Sequence, residues 1–230
     1  MNKKSFFNND FAVLTCMVQA DNPDRIKELI KKSIPQGAEA FGMQFEQMNG
    51  EYRKAEVYKE LFSCAEDKPA YVTNYRYAKN EGKSDERLAA ELLELADCGA
   101  ELCDMMGDYF DKQPGEMTYN ETAAEKQRDL IDKLHKCGAK VLMSTHIHKF
   151  TPADEVLKIA LAHQSRGADI SKRVVGAENT EQRIENLRII NLLKEKLSIQ
   201  FLFISGGECK ILRRIGGELG NCMYLCVCEY

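Results

Sequence analysis

Short runs of apolar, β-branched and aromatic residues recur along the chain at intervals of about thirty residues. Each is followed by a charged segment with helical periodicity, which is the signature of repeated strand-helix units. The pattern predicts eight strands, at Ala12 to Val18, Ala38 to Phe45, Tyr71 to Arg76, Leu102 to Met106, Val141 to His146, Ile170 to Val175, Ile199 to Ser205 and Met223 to Cys228. Helices are expected from Asn22-Pro23 to Ile34-Pro35, over Tyr52 to Cys64, Asp85 to Ala96, Ala123 to Lys136, Pro152 to His163 and Thr180 to Leu197. Thr151-Pro152 and Asn179-Thr180 read as helix starts, the side-chain oxygen capping the first turn. Gly37-Ala38, Gly99-Ala100, Gly138-Ala139 and Gly167-Ala168 fall where a helix must stop before the next strand, and a left-handed glycine is the least strained stop.

Strict alternation closes into a (β/α)8 barrel or opens into a doubly wound sheet. No glycine-rich phosphate loop follows the first strand, so the usual reason for an open nucleotide-binding sheet is missing, and eight units favour the barrel. The 230 residues suit one such barrel as a single domain. The last strand ends close to Tyr230, leaving no room for an eighth loop and helix, so one flank is expected to be bare and to invite a second copy, a homodimer.

Composition narrows the function classes. A net charge of -4, with basic and acidic residues interleaved, argues against a nucleic-acid partner. Met1 to Asp10 contains no apolar stretch of signal length and no later run approaches a membrane span, so no membrane partner and a cytoplasmic location are expected. The nine cysteines then read as reduced thiols; Cys16, Cys103 and Cys137 sit in apolar strands or at helix ends, and Cys222, Cys226 and Cys228 read as small buried hydrophobes in place of a metal site.

In a barrel the chemistry collects at the carboxyl ends of the strands. His146 closes the fifth strand, where a group titrating near neutrality suits proton transfer. Lys172 lies inside the apolar run of the sixth, where burial strips an ammonium of its hydration and favours the neutral, nucleophilic amine. On neighbouring strands, both able to point into the barrel mouth, the two form an arrangement suited to an imine-forming lyase or aldolase. Arg76 ends the third strand with Glu81 in the following loop; Ser205 ends the seventh, and Arg213-Arg214 follow on a short helix where barrels commonly hold anions, one of the two being expected at the surface.

These segments together resemble the type I 3-dehydroquinate dehydratases of the shikimate pathway. The likeness is carried by Gly37-Ala38-Glu39 with Phe45, Tyr75-Arg76 with Glu81-Gly82, Val141 through His146, Gly167 through Lys172, and Ile204-Ser205 through Glu218. The resemblance implies that Lys172 forms an imine with a substrate ketone, that His146 moves protons, that Glu81 holds the histidine, and that Arg214 binds the substrate carboxylate with Arg76 beside it. It implies no metal and no organic cofactor, only a small carboxylated ketone as substrate.

The chain departs from that family on the second strand, where Gly42 and Gln44 stand in place of a glutamate and an arginine that engage substrate hydroxyls. One extra residue separates Arg76 from Glu81, and the family's eighth loop with its glutamine is expected to be absent. Losing buried hydrogen-bonding partners costs several kcal/mol in a transition state, unless Gln44, His148 or a neighbouring subunit substitutes. Three expectations follow: a dehydratase of this type, a related Schiff-base lyase or aldolase on another carboxylated ketone, or a non-catalytic barrel subunit.

Overall fold

A computed structural model of the chain describes residues 5–7 and 9–229. Lys3, Lys4 and Asn8, on which the reading of the amino-terminal ten residues partly rests, lie outside the described residues, as does Tyr230. Eight parallel strands run in the order β7-β6-β5-β4-β3-β2-β1-β8, a (β/α)8 barrel: β1 Val13–Val18, β2 Ala40–Gln44, β3 Ala70–Thr73, β4 Leu102–Met106, β5 Lys140–His146, β6 Ile170–Val175, β7 Gln200–Ser205 and β8 Met223–Cys226. The helices between them are α1 Pro23–Ser33, α2 Ala55–Cys64, α3 Asp85–Asp97, α4 Glu121–Lys136, α5 Ala153–Ser165, α6 Thr180–Lys196 and the short α7 Leu212–Ile215.

Period-two alternation explains the two layers of the core. Each strand sends at least one side chain into a shared interior cluster: Val13, Ala40, Tyr71, Leu102, Leu142, Ile170, Leu202 and Met223, with Val174 and Ile204 adding a second from β6 and β7. Phe6 joins this cluster, packing edge-on against Tyr71 with ring centroids 6.5 Å apart. The intervening positions face outward, where they bury the apolar stripes of the helices in two further clusters.

One backbone hydrogen bond and the Asn221 side chain stitch the seam between β7 and β8 where the ladder is missing. The Phe201 carbonyl accepts from the Cys222 amide at 3.0 Å. Asn221 then stands in for a strand residue, its Oδ1 accepting from the Phe203 amide at 2.7 Å and its Nδ2 donating to the Phe203 carbonyl at 3.0 Å.

Asn179 caps α6 through the Gln182 amide, and Gly138 (φ 87°) and Gly167 (φ 96°) end α4 and α5 in the left-handed region. Thr151 does not cap α5. Pro152 occupies the cap position, and the threonine hydroxyl turns back to the Lys149 carbonyl. The third strand also ends earlier than its apolar run suggests, because Asn74 turns aside to Glu91 and Arg76 is drawn to Asp85 and Asp108. After β8 the chain runs onto α1, where Glu229 meets Arg25 and Lys32.

Candidate active site

Lys172 is inward-facing on β6, in register with Ser144 of β5, and 5% exposed. A lone lysine there would be costly, but its Nζ is fully engaged. It lies 3.1 Å from Asp104 Oδ2, 2.9 Å from the Tyr75 hydroxyl and 3.1 Å from the Tyr71 hydroxyl. Both phenols also donate to Asp104 Oδ2 in short hydrogen bonds, and Ser144 Oγ donates to its Oδ1 at 2.5 Å. The floor of the site is therefore a lysine-carboxylate pair clamped by two tyrosines and a serine.

His146 lies two residues nearer the mouth than Ser144, at the end of β5. Its backbone amide and its Nδ1 both meet Glu116 Oε2, at 2.7 and 2.8 Å. With Nδ1 occupied, Nε2 is the nitrogen left for the cavity, and its ring contacts Tyr75 edge-on at 5.3 Å. Burial first and the Lys172 charge second hold His146 below the usual histidine range, although Glu116 pulls the other way. Burial pushes Glu116 up, but its hydrogen bond to and charge attraction for His146 outweigh that and hold it below the usual carboxylate range. Glu116 adopts φ 50°, a left-handed conformation seldom taken by a residue with a side chain, so the loop is strained where it delivers the carboxylate.

The position assigned to Glu81 is thereby corrected. Glu81 caps a turn in the loop after β3 and points to solvent, and the carboxylate on the histidine comes from the loop after β4. Ser205 is also displaced from its assigned place. It is fully buried and hydrogen-bonds Asn186 of α6 at 3.0 Å, away from the cavity. Arg76 does line the cavity, yet its guanidinium is held by Asp85 at 2.6 and 2.7 Å and by Asp108 at 2.6 Å, which leaves little of its fork for a ligand.

Above Lys172 opens a cavity of about 1740 Å3, larger than the few hundred to a thousand typical of small-ligand sites. Its lining includes Gln44, Tyr75, His146 and Glu116 together with the basic side chains of Lys112, Arg183, Lys210, Arg213 and Arg214. Both arginines of α7 are exposed, and among the described residues neither guanidinium has a hydrogen-bond or ion-pair partner.

At Gly42 the space is taken. A Cβ there would come 2.2 Å from Met17 Sδ and 3.0 Å from Tyr71 Cδ1. Met17 and Tyr71 thus fill the volume that a longer side chain on β2 would occupy, while Gln44 reaches the cavity. Two positions further on, Glu46 is fully buried and accepts from Thr73 at 2.8 Å and Tyr77 at 3.0 Å.

The sequence model of the family described as Type I 3-dehydroquinase matches residues 15–224. The chain belongs to the type I 3-dehydroquinase family. A 92-residue stretch is 39% identical to the 3-dehydroquinate dehydratase of Alkaliphilus oremlandii, covering 39% of this chain and 36% of that protein. A 97-residue stretch is 32% identical to the enzyme of the same name from Klebsiella pneumoniae, covering 40% of this chain and 39% of the other. The matched stretches thus span well under half the length of these curated relatives. The barrel superposes on the type I 3-dehydroquinate dehydratase of Clostridium difficile with covalently modified comenic acid at a TM-score of 0.78, with 16% identity over 96% of this chain and 85% of that one. The Geobacillus kaustophilus enzyme gives 0.79, with 15% identity over 95% and 83%. These likenesses establish the shared fold.

Sequence alone does not single out Asp104, Tyr71, Glu116 or Met17, and Tyr75 enters there only beside Arg76 in the family resemblance, without a role of its own. Asp104 carried a readable signal, being a lone charge in the apolar run Leu102 to Met106, as Lys172 is in its own. Nothing in the loop of residues 107–120 marks Glu116. The nine cysteines are free thiols, and among the described residues no cluster of three or more His, Cys, Asp or Glu is arranged to hold a metal ion. No described helix is long and apolar enough to cross a membrane.

Proposed function

We propose that this barrel dehydrates 3-dehydroquinate to 3-dehydroshikimate through an imine on Lys172. The observation that carries the reading is the buried Lys172 amine, in contact with Asp104 and Tyr75, at the foot of a basic cavity in a chain of this family. The substrate carboxylate meets Arg214 and its neighbour Arg213, which places the ketone over Nζ. The imine draws electrons from the adjacent carbon, so that its proton becomes acidic. His146 Nε2 removes that proton and returns it to the hydroxyl departing from the next carbon, which leaves as water. Glu116 fixes the tautomer by accepting at Nδ1.

Gln44 is the remaining hydroxyl partner on β2, and with Gly42 packed against Met17 and Tyr71 substrate binding rests more on the arginines than on hydroxyl recognition. A cytoplasmic place in the shikimate pathway goes with this activity. A homodimer is supported by the exposed Ile211, Ile215 and Val227 at the cavity rim beside β8, and sedimentation as a monomer at micromolar concentration would remove it.

The direct test is to supply 3-dehydroquinate and follow the conjugated ketone of the product by absorbance. Turnover that is abolished in Lys172→Ala supports the proposal. No turnover by the folded wild-type chain at millimolar substrate contradicts it.

A further inference from the structure

Two tyrosines contact Lys172 Nζ, but they differ in what else they reach. Tyr71 is fully buried and has no surface in the cavity, whereas Tyr75 is 7% exposed and lines it. The Tyr75 hydroxyl lies 2.9 Å from Nζ and donates to Asp104 Oδ2, and its ring meets the His146 ring edge at 5.3 Å. His146 is committed through Nδ1 to Glu116, stands nearer the mouth than the residue in register with Lys172, and makes no hydrogen bond to Nζ. The imidazole is therefore placed for the substrate carbons and the phenol for the nitrogen and the oxygen that the nitrogen must displace.

We propose that Tyr75 is a catalytic residue of this site, carrying the protons of imine formation between Lys172, Asp104 and the substrate oxygen. The inference rests on the imine reading given under Proposed function and assigns its first half to a group other than His146. Burial, and then the charge of Asp104, hold both phenols well above the usual tyrosine range, so each is a proton carrier in its neutral form.

The balance closes without an outside reagent. One proton passes from the Nζ ammonium to Asp104 Oδ2, freeing the lone pair. The N–C bond forms while the carbonyl π pair moves to oxygen. Tyr75 gives its hydroxyl proton to that oxygen and takes one from nitrogen, leaving a neutral carbinolamine. The proton kept on Asp104 then reaches the carbinolamine hydroxyl through Tyr75. The C–O bond breaks, its electron pair leaves with water, and the nitrogen lone pair completes the C=N bond. Ammonium and ketone have become iminium and water, with charge conserved.

Tyr71 then has a separate part. It holds Asp104 from the closed side and passes no proton to the cavity, because its hydroxyl has no surface there. The two phenols cannot exchange duties.

The test separates imine formation from the later steps. 3-Dehydroquinate is mixed with the enzyme, samples are quenched with borohydride at increasing times, and the labelled fraction of Lys172 is read by mass spectrometry; dehydration per imine formed is followed in parallel. Positioned acid-base groups contribute about 10²- to 10⁴-fold. Tyr75→Phe is expected to slow labelling about a hundredfold or more while the step from imine to product keeps its rate, and His146→Gln is expected to impair chiefly that later step. Labelling of Tyr75→Phe at the wild-type rate, or a loss confined to steps after the imine, overturns the proposal. A second variant with 3-fluorotyrosine at position 75 keeps shape and lowers the phenol's range; an unmoved pH profile for labelling overturns it too. Wild-type enzyme that never labels refutes the imine reading itself, and this inference with it.

Discussion

Gly42→Ala probes the packing that distinguishes this cavity. The new methyl would lie 2.2 Å from Met17 Sδ, 2.7 Å from its Cε and 3.0 Å from Tyr71 Cδ1. Tyr71 cannot give way cheaply, because its hydroxyl is tied to Asp104 and Lys172. Met17 can, since it is half-buried and borders the cavity, so the methionine is expected to swing into the mouth. Overpacking of a well-filled site costs about 1–3 kcal/mol, and a yielding neighbour puts this case near 1 to 2. For a chain of this size that lowers Tm by about 2–8 °C. Met17→Ala removes the atoms in conflict, so in a double-mutant cycle the pair should destabilise by about 1 kcal/mol less than the sum of the singles. Urea denaturation of the four proteins supplies the numbers. Additivity within about 0.5 kcal/mol would refute the contact and with it the account of what replaces a longer side chain on β2.

Other predictions follow from the same contacts. Glu116→Ala should lower kcat/KM about 10- to 100-fold, whereas Glu81→Ala should leave it within a factor of about two; the opposite ranking in steady-state assays would restore Glu81 to the histidine. Because His146 is held below its usual range, the acid limb of kcat/KM should fall below pH ~6.5. Glu116→Gln should move it lower still, since the Glu116 hydrogen bond is the strongest of the contacts that raise the histidine, ahead of the Asp104 charge. Removing one member of the buried Lys172-Asp104 pair by Asp104→Ala should destabilise by about 3–5 kcal/mol, checked by chemical denaturation. His163 is fully buried, and burial, reinforced by Arg173 and Arg166, pushes it well below its usual range. The unfolded chain then binds a proton the folded one refuses, so stability should fall as pH drops below ~6.5, by at most about 1.4 kcal/mol per pH unit from this group. His163→Gln should flatten that slope in thermal melts.

The fold was legible because its signals are local and repeated: apolar strand runs, helix caps such as Asn22 and Asn179, and glycine stops all point to one architecture. The place of Lys172 and His146 at one cavity was legible for a related reason, each being a polar group in an apolar strand. Arg214 was found at the cavity, and both arginines of its helix are there. What failed were loop assignments. Glu81 and Glu116 are each a glutamate in a loop, and only the fold decides which reaches Nδ1. Ser205 ends the right strand but turns toward Asn186, a choice set by packing of α6. Tyr71 and Tyr75 read as ordinary strand aromatics; their hydroxyls acquire meaning only once β3, β4 and β6 bring them to one amine.

The proposed mechanism has Lys172 hold the substrate as an imine. Borohydride added to the wild-type chain with 3-dehydroquinate, followed by peptide mapping, tests it most directly. A reduced adduct is expected on the peptide carrying Lys172 and none in Lys172→Ala. Substrate consumed with Lys172 unmodified, or an adduct on another lysine, would contradict it.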